Sequence, residues 1–201
     1  MGDTAMNSAE LYACLYVKEF PAQALLRLRP ELQEKPCAVM QGEPPLEQVG
    51  SLNAKARRLG VLIGMTRVEM ETFPAVTLLP RSLQEEAATK TALLECVGSF
   101  TPRVEEVSLD CAFLCVLDIA GTKKLFGPAA TLAEKLKNRV KTLGIMASVA
   151  VSRNFHAAIC LARGMSPGIS IKVITAGTES TALSPLPLSV LSISQEHAEK
   201  F

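Results

Sequence analysis

The chain has 201 residues, 48% of them hydrophobic, and a formal net charge of +1. That length supports one good core, or a core with a small inserted lobe, and the near-zero charge excludes a uniformly basic nucleic-acid coat. The six cysteines (Cys14, Cys37, Cys96, Cys111, Cys115, Cys160) have no CxxC spacing and mostly lie in apolar runs, which fits buried thiols better than a disulfide framework or a zinc site.

In chain order, residues 1–10 carry no basic start and no apolar run, so no signal peptide is expected. No apolar stretch reaches membrane-spanning length, and the expectation is a soluble cytoplasmic protein without a membrane partner. Leu11 to Val17 is a continuous apolar run and reads as a buried strand. Cys37 to Met40 is a second strand, followed by a Gly/Pro/Glu loop from Gln41. Asn53 to Leu59 reads as a short basic helix closed by Gly60, and Val76 to Leu79 as a strand. Ser82 and Glu85 have capping-box spacing and open a helix whose predicted apolar face is Leu83, Ala87, Leu94 and Val97. Val104–Leu109 and Ala112–Leu117 read as two strands with almost no loop between them. Thr131 and Glu134 suggest a second capping box, with Leu132, Leu136, Val140 and Leu143 on the buried face of a basic helix. A strand (Ile145–Val151), a helix (Asn154–Arg163), a strand (Ile171–Ile174) and a helix from Ser194 complete the reading.

With the segment from Phe20 to Thr77 set aside, the order to Val151 is strand, helix, strand, strand, helix, strand. This is the split βαβ, ferredoxin-like pattern, and so long an insert after the first strand reads as a lobe of its own. The fold class expected is therefore α/β (α+β): a ferredoxin-like domain with an inserted lobe. The expected boundaries are 1–20 and 74–175 for the main domain, 21–73 for the insertion and 176–201 for a linker and truncated helix. Charge is unevenly placed. From Gly121 to Arg163 eight bases stand against Glu134 alone, and from Glu71 to Ala120 three bases stand against eight acids. A basic lobe beside an acidic one points to a polyanion partner.

Ser108-Leu109-Asp110-Cys111 lies at the strand-to-strand join, where an exposed acid could reach a metal. Two adjacent acids there would suit a divalent cation; this chain has one acid and then a thiol. A lone acid at a strand end also serves local hydrogen bonding. The two histidines, His156 and His197, are too few and too separate for a metal cluster, and His156 reads as a helix-start residue.

Several motifs, in order, resemble Y-family translesion DNA polymerases. They are Pro30 to Val39 (PELQEKPCAV), Asn53 to Val61 (NAKARRLGV) with Gly64-Met65, Thr101 to Glu105 with Ser108 to Leu114 (SLDCAFL), Leu125-Phe126-Gly127, and Ser148 to Asn154. The resemblance implies a polymerase palm, with 21–73 as fingers and 176–201 as the start of a thumb. It also implies losses. The first metal-binding acid falls on Tyr16, the acid after Asp110 on Cys111, the sugar gate on Pro21, the fingers tyrosine on Ala54 and a phosphate lysine on Phe155. Arg57 keeps the phosphate-contacting position and Asn53 the helix start, both nucleotide candidates. Asp110 remains as a vestigial metal ligand.

Two-metal nucleotidyl transfer uses hard oxygen ligands. A neutral tyrosine hydroxyl or a soft thiol suits Mg2+ poorly. The pattern is similar to the ImuB branch, so the expectation is a pseudo-polymerase in induced, error-prone translesion synthesis, not an enzyme, with no cofactor. The implied partners are primer-template DNA, a C-family polymerase, a mutasome accessory protein and the sliding clamp. Lys135, Arg139 and Lys141 are candidates for DNA-backbone contact, the other reading being a solvated helix face. The first alternative is an active error-prone polymerase using Mg2+, with Glu19, Glu105 or Glu106 as displaced ligands. The second is a partner-binding module without DNA contact.

Overall fold

The computed structural model describes residues 10–166 and 168–191. The helix expected from Ser194, and His197, lie outside the described residues. The chain opens with β1 (Tyr12–Val17), α1 (Phe20–Leu26) and a short α2 (Pro30–Gln33). Next come β2 (Cys37–Gln41), β3 (Gln48–Leu52), α3 (Ala54–Arg58), α4 (Arg67–Met70) and β4 (Thr77–Pro80). The long α5 (Leu83–Gly98) leads into β5 (Val104–Val107) and β6 (Phe113–Asp118). Then follow α6 (Lys123–Phe126), α7 (Ala129–Thr142), β7 (Ser148–Ser152), α8 (Phe155–Arg163), β8 (Ile171–Val173) and α9 (Glu179–Leu183).

The strands form a five-stranded sheet, β5-β6-β1-β7-β8, and a three-stranded sheet, β3-β2-β4. In the larger sheet β1 is central and antiparallel to both β6 and β7, with Leu15 opposite Cys115 on one side and Val149 on the other. With the added parallel strand β8 set aside, this is the ferredoxin-like arrangement that the element order predicts.

Side chains of a strand alternate between faces, and both faces of β1 are covered, which explains its unbroken apolar run. Ala13, Leu15 and Val17 pack with Leu93 and Val97 of α5 and Leu132, Leu136 and Val140 of α7. Tyr12, Cys14 and Tyr16 pack with Ala158, Leu161 and Ala162 of α8 and with Leu183 and Leu186 beyond. The small sheet has its own core, in which Ala38, Met40, Val49 and Leu52 meet Ala56, Val61, Met70 and Val76. Gly60 closes α3 at φ 97°, a left-handed conformation that glycine adopts freely.

Four local expectations change. The face of α5 is turned: Leu83 is 70% exposed, while Glu86, Thr89, Leu93, Cys96 and Val97 are buried. Helix α7 begins after Pro128, so Thr131 lies inside the first turn and caps nothing. A full capping box instead opens α4, where Thr66 and Glu69 exchange hydrogen bonds. The β5–β6 join is a loop, since Val107 and Leu114 are the last pair in register. Strand β4, on the palm side of a division at 73/74, pairs in parallel with β2 of the small sheet.

Candidate functional site

The loop from Ser108 to Ala112 reaches the junction of the two sheets. Its Cys111 carbonyl accepts the Phe20 N–H at 3.1 Å, which ties the loop to the start of α1. Asp110 has a side chain 76% exposed, and its Oδ1 accepts from Arg81 Nη1 at 3.0 Å. Arg81 Nη2 also donates to the Asp110 carbonyl at 3.1 Å. The other face of the guanidinium holds Glu86 in two bonds, Nε at 2.8 Å and Nη2 at 3.0 Å. Nη1 donates further to Gln41 Oε1 at 3.1 Å. Bonds to Glu86 and then Asp110 hold Arg81 charged, against the opposing effect of burial. Cys111 donates its thiol to the same Gln41 oxygen at 3.6 Å. Burial first, and Asp110 second, push that thiol up to about 11, so it is neutral at ordinary pH.

Tyr16 does not join this group. Its half-buried ring packs in the cluster of Cys14, Leu109, Phe155 and Ile159 on the α8 side of the sheet. Burial raises its hydroxyl above the ordinary range, so it too is neutral. Asp110 lines two hollows, one of about 450 Å³ with Glu86, Lys90 and Glu106 and one of about 530 Å³ with Gln41 and Glu47, and Tyr16 lines neither.

Two of the three expected substitute acids, Glu19 and Glu106, are also engaged. Glu106 shares the first hollow with Asp110 but is paired with Lys90. Glu105 lies in a separate hollow with Tyr12, Arg103 and Asp118. Glu19 is the nearest to a substitute, since the next residue bonds to Cys111. It holds a left-handed backbone at φ 54°, which costs a non-glycine residue about 1 kcal/mol. Its Oε2 accepts the Leu52 N–H at 3.0 Å and its Oε1 accepts from Arg57 Nη2. Beside it, Ser51 Oγ accepts the Ala22 N–H at 3.2 Å. Each sheet thus caps a backbone donor of the other: Glu19 serves β3, and Ser51 of β3 serves the first turn of α1.

Among the described residues, no three or more His, Cys, Asp or Glu side chains are placed to hold a metal ion. Asp110 on Arg81, a neutral thiol and a neutral phenol do not fit a pair of hard divalent cations.

Another hollow, of about 680 Å³, lies between α3 and the start of α1, lined by Lys18, Glu19, Gln23, Asn53, Ala54, Arg57, Arg58 and Met146. Arg57, the nucleotide candidate of the sequence, lines this hollow. Asn53 also lines it, but its side chain is occupied: Oδ1 accepts from Ala56 N at 3.0 Å and Cys37 N at 3.1 Å, and Nδ2 donates to Lys35 O at 2.8 Å. Its role in the structure is that of helix cap. Lys18 and Arg58, absent from the sequence candidates, add two cations to this wall; the signal was the basic run Lys55-Ala56-Arg57-Arg58. Lys135, Arg139 and Lys141 are exposed on α7 and line none of these hollows. Pro21 is buried in α1. Phe155 stacks edge-on to Tyr12, with ring centroids 5.6 Å apart. His156 lies in the first turn of α8, with its ring 5.3 Å from that of Phe155.

A family model described as the impB/mucB/samB family matches residues 15–163. The chain belongs to this family. Its relatives include DNA polymerase IV 2 of Mesorhizobium japonicum, 32% identical over 166 residues that cover 82% of this chain and 38% of that protein. DNA polymerase IV of Desulfatibacillum aliphaticivorans is 31% identical over 176 residues, covering 86% of this chain and 43% of that protein. The chain thus spans about two-fifths of the length of these relatives. The fold matches the crystal structure of DinB from Sulfolobus solfataricus with a TM-score of 0.78, at 23% identity, over 94% of this chain and 56% of that one. A post-insertion binary complex of Dbh DNA polymerase gives 0.76 at 24% identity, over 90% and 52%.

This impB/mucB/samB chain is therefore the palm-and-fingers region of a Y-family polymerase domain. The expectation that it is not an enzyme is corrected: the relatives are named DNA polymerase IV, and the likeness is to polymerases. The likeness extends to the Y family and does not single out the ImuB branch. No helix among the described residues is long and apolar enough to cross a membrane.

Proposed function

We propose that the chain is the palm and fingers of a template-directed, error-prone DNA polymerase whose metal ligands are displaced from the family's usual positions. The observation that carries this reading is the family match over residues 15–163, with relatives named DNA polymerase IV. What these residues supply is binding and orientation. The hollow lined by Lys18, Arg57 and Arg58 presents three cations against Glu19 and suits the polyphosphate of an incoming nucleotide. Primer-template DNA is the partner, with Lys135, Arg139 and Lys141 a secondary basic face on α7. Mg2+ is the cofactor this reading expects. The acids that would hold it, Asp110 and Glu19, are bonded to Arg81 and Arg57 in this structure, and the ion would supply electrostatic stabilisation of the transferring phosphoryl group. A cytoplasmic location and, as further partners, a C-family polymerase, an accessory protein and the sliding clamp belong to the same proposal.

The test is primer extension by the full-length protein with Mg2+ and with Mn2+. The expected result is template-directed incorporation that Asp110→Ala abolishes. No incorporation with either ion, by protein that still binds primer-template DNA, overturns the reading.

A further inference from the structure

The donors around Asp110 do not fit a divalent ion, and the reason lies in one side chain. A guanidinium carries five N–H groups. In Arg81 all five are used: Nε on Glu86, Nη1 on Gln41 and Asp110, Nη2 on Glu86 and the Asp110 carbonyl. These acceptors are two carboxylates, a side-chain amide oxygen and a backbone carbonyl, the oxygen types that hard divalent cations take. They come from three places: the end of β2, α5 and the β5–β6 loop, and the Arg81 backbone N–H adds a bond to Met40 O of β2 at 3.0 Å. Gly50 supports the arrangement, since a Cβ there would stand 2.3 Å from Gln41 Oε1.

We propose that Arg81 is the resident cation of this oxygen cage. Its guanidinium takes the position beside Asp110 that an external divalent ion would need, and it clamps the small sheet to the palm without metal. Arg81 is in this sense a positioning residue, and cation entry requires its displacement. The inference stands on side-chain geometry and not on the polymerase reading, so primer extension can fail while it holds.

The test uses the full-length protein with Mn2+ as the probe, comparing thermal melts in EDTA and in MnCl2 and counting bound Mn2+ by electron paramagnetic resonance. Wild type should melt at the same temperature in both and hold no Mn2+ that Asp110→Asn removes. Arg81→Met should melt lower in EDTA, by on the order of 5–10 °C. It should also gain a Mn2+-dependent rise that added Asp110→Asn abolishes. Arg81→Lys keeps the charge with three donors; it should melt between the two and not respond to Mn2+, and it carries the test where Arg81→Met fails to fold. Asp110-dependent Mn2+ binding by wild type overturns the proposal. So does a folded Arg81→Met without such binding, or an Arg81→Lys protein that melts like wild type.

Discussion

The two sheets meet at two arginine–carboxylate junctions, and these differ in what each leaves unmatched. At Arg81, one cation faces two carboxylates, its side chain is 20% exposed, and no donor is left over. At Arg57, whose side chain is 43% exposed, one carboxylate faces three cations around a 680 Å³ hollow. An arginine whose donors are all taken holds shape, whereas cations in excess beside a hollow are available to a ligand. The same pair of residue types thus serves structure at one junction and recognition at the other.

That contrast can be broken at its closed end first. Arg81→Ala leaves Glu86, whose side chain is 11% exposed, without its partner, and should cost on the order of 3 kcal/mol in urea unfolding. A loss below about 1 kcal/mol would place the junction among ordinary surface pairs. At the open end, Arg57→Ala should leave stability within about 1 kcal/mol. It should nonetheless weaken binding of a nucleoside triphosphate by about tenfold or more in a calorimetric titration. Unchanged affinity would remove the hollow from nucleotide recognition. Gly50→Ala should displace the Gln41 amide from Arg81 and Cys111 and cost about 1 kcal/mol; full stability would show that Gln41 is dispensable to the closed junction.

The smallest effect expected is a pH dependence. The Cys111 thiol, pushed up to about 11, stays protonated in the folded chain where an unfolded thiol has already ionised. Its contribution is therefore absent below about pH 9 and turns unfavourable as pH rises from 9 towards 11. Urea midpoints at pH 8, 9 and 10 should fall less steeply in Cys111→Ala than in wild type. Identical slopes would mean that Cys111 does not sense the closed junction.

The large sheet was legible because its strands follow simple rules. The apolar run of β1 is what burial on both faces produces, and the basic helix α7 carries its apolar residues at helical spacing. Strand β3 was not legible, because Gln48-Val-Gly-Ser-Leu52 has no apolar run and the ladder is irregular between Val39 and Met40. The turned face of α5 has an electrostatic cause: Glu86 can be buried only because Arg81 neutralises it, and no periodicity argument includes that partner. Arg57 was visible through its motif. The Arg81 junction was not, since its acceptors lie 5, 29 and 40 residues away in sequence. The absence of an acid at Tyr16 and Cys111 was plain from the sequence, but the relatives it shares a family with are named DNA polymerase IV.

The exchanged caps at Glu19 and Ser51 bear on how the molecule can be taken apart. The inserted lobe is not a detachable cassette. Cut away or transplanted into another scaffold, it would lose the acceptor for its Leu52 amide, while the host helix would keep an Ala22 amide that Ser51 no longer serves. A single shared melting transition, and not two, follows from that reciprocity.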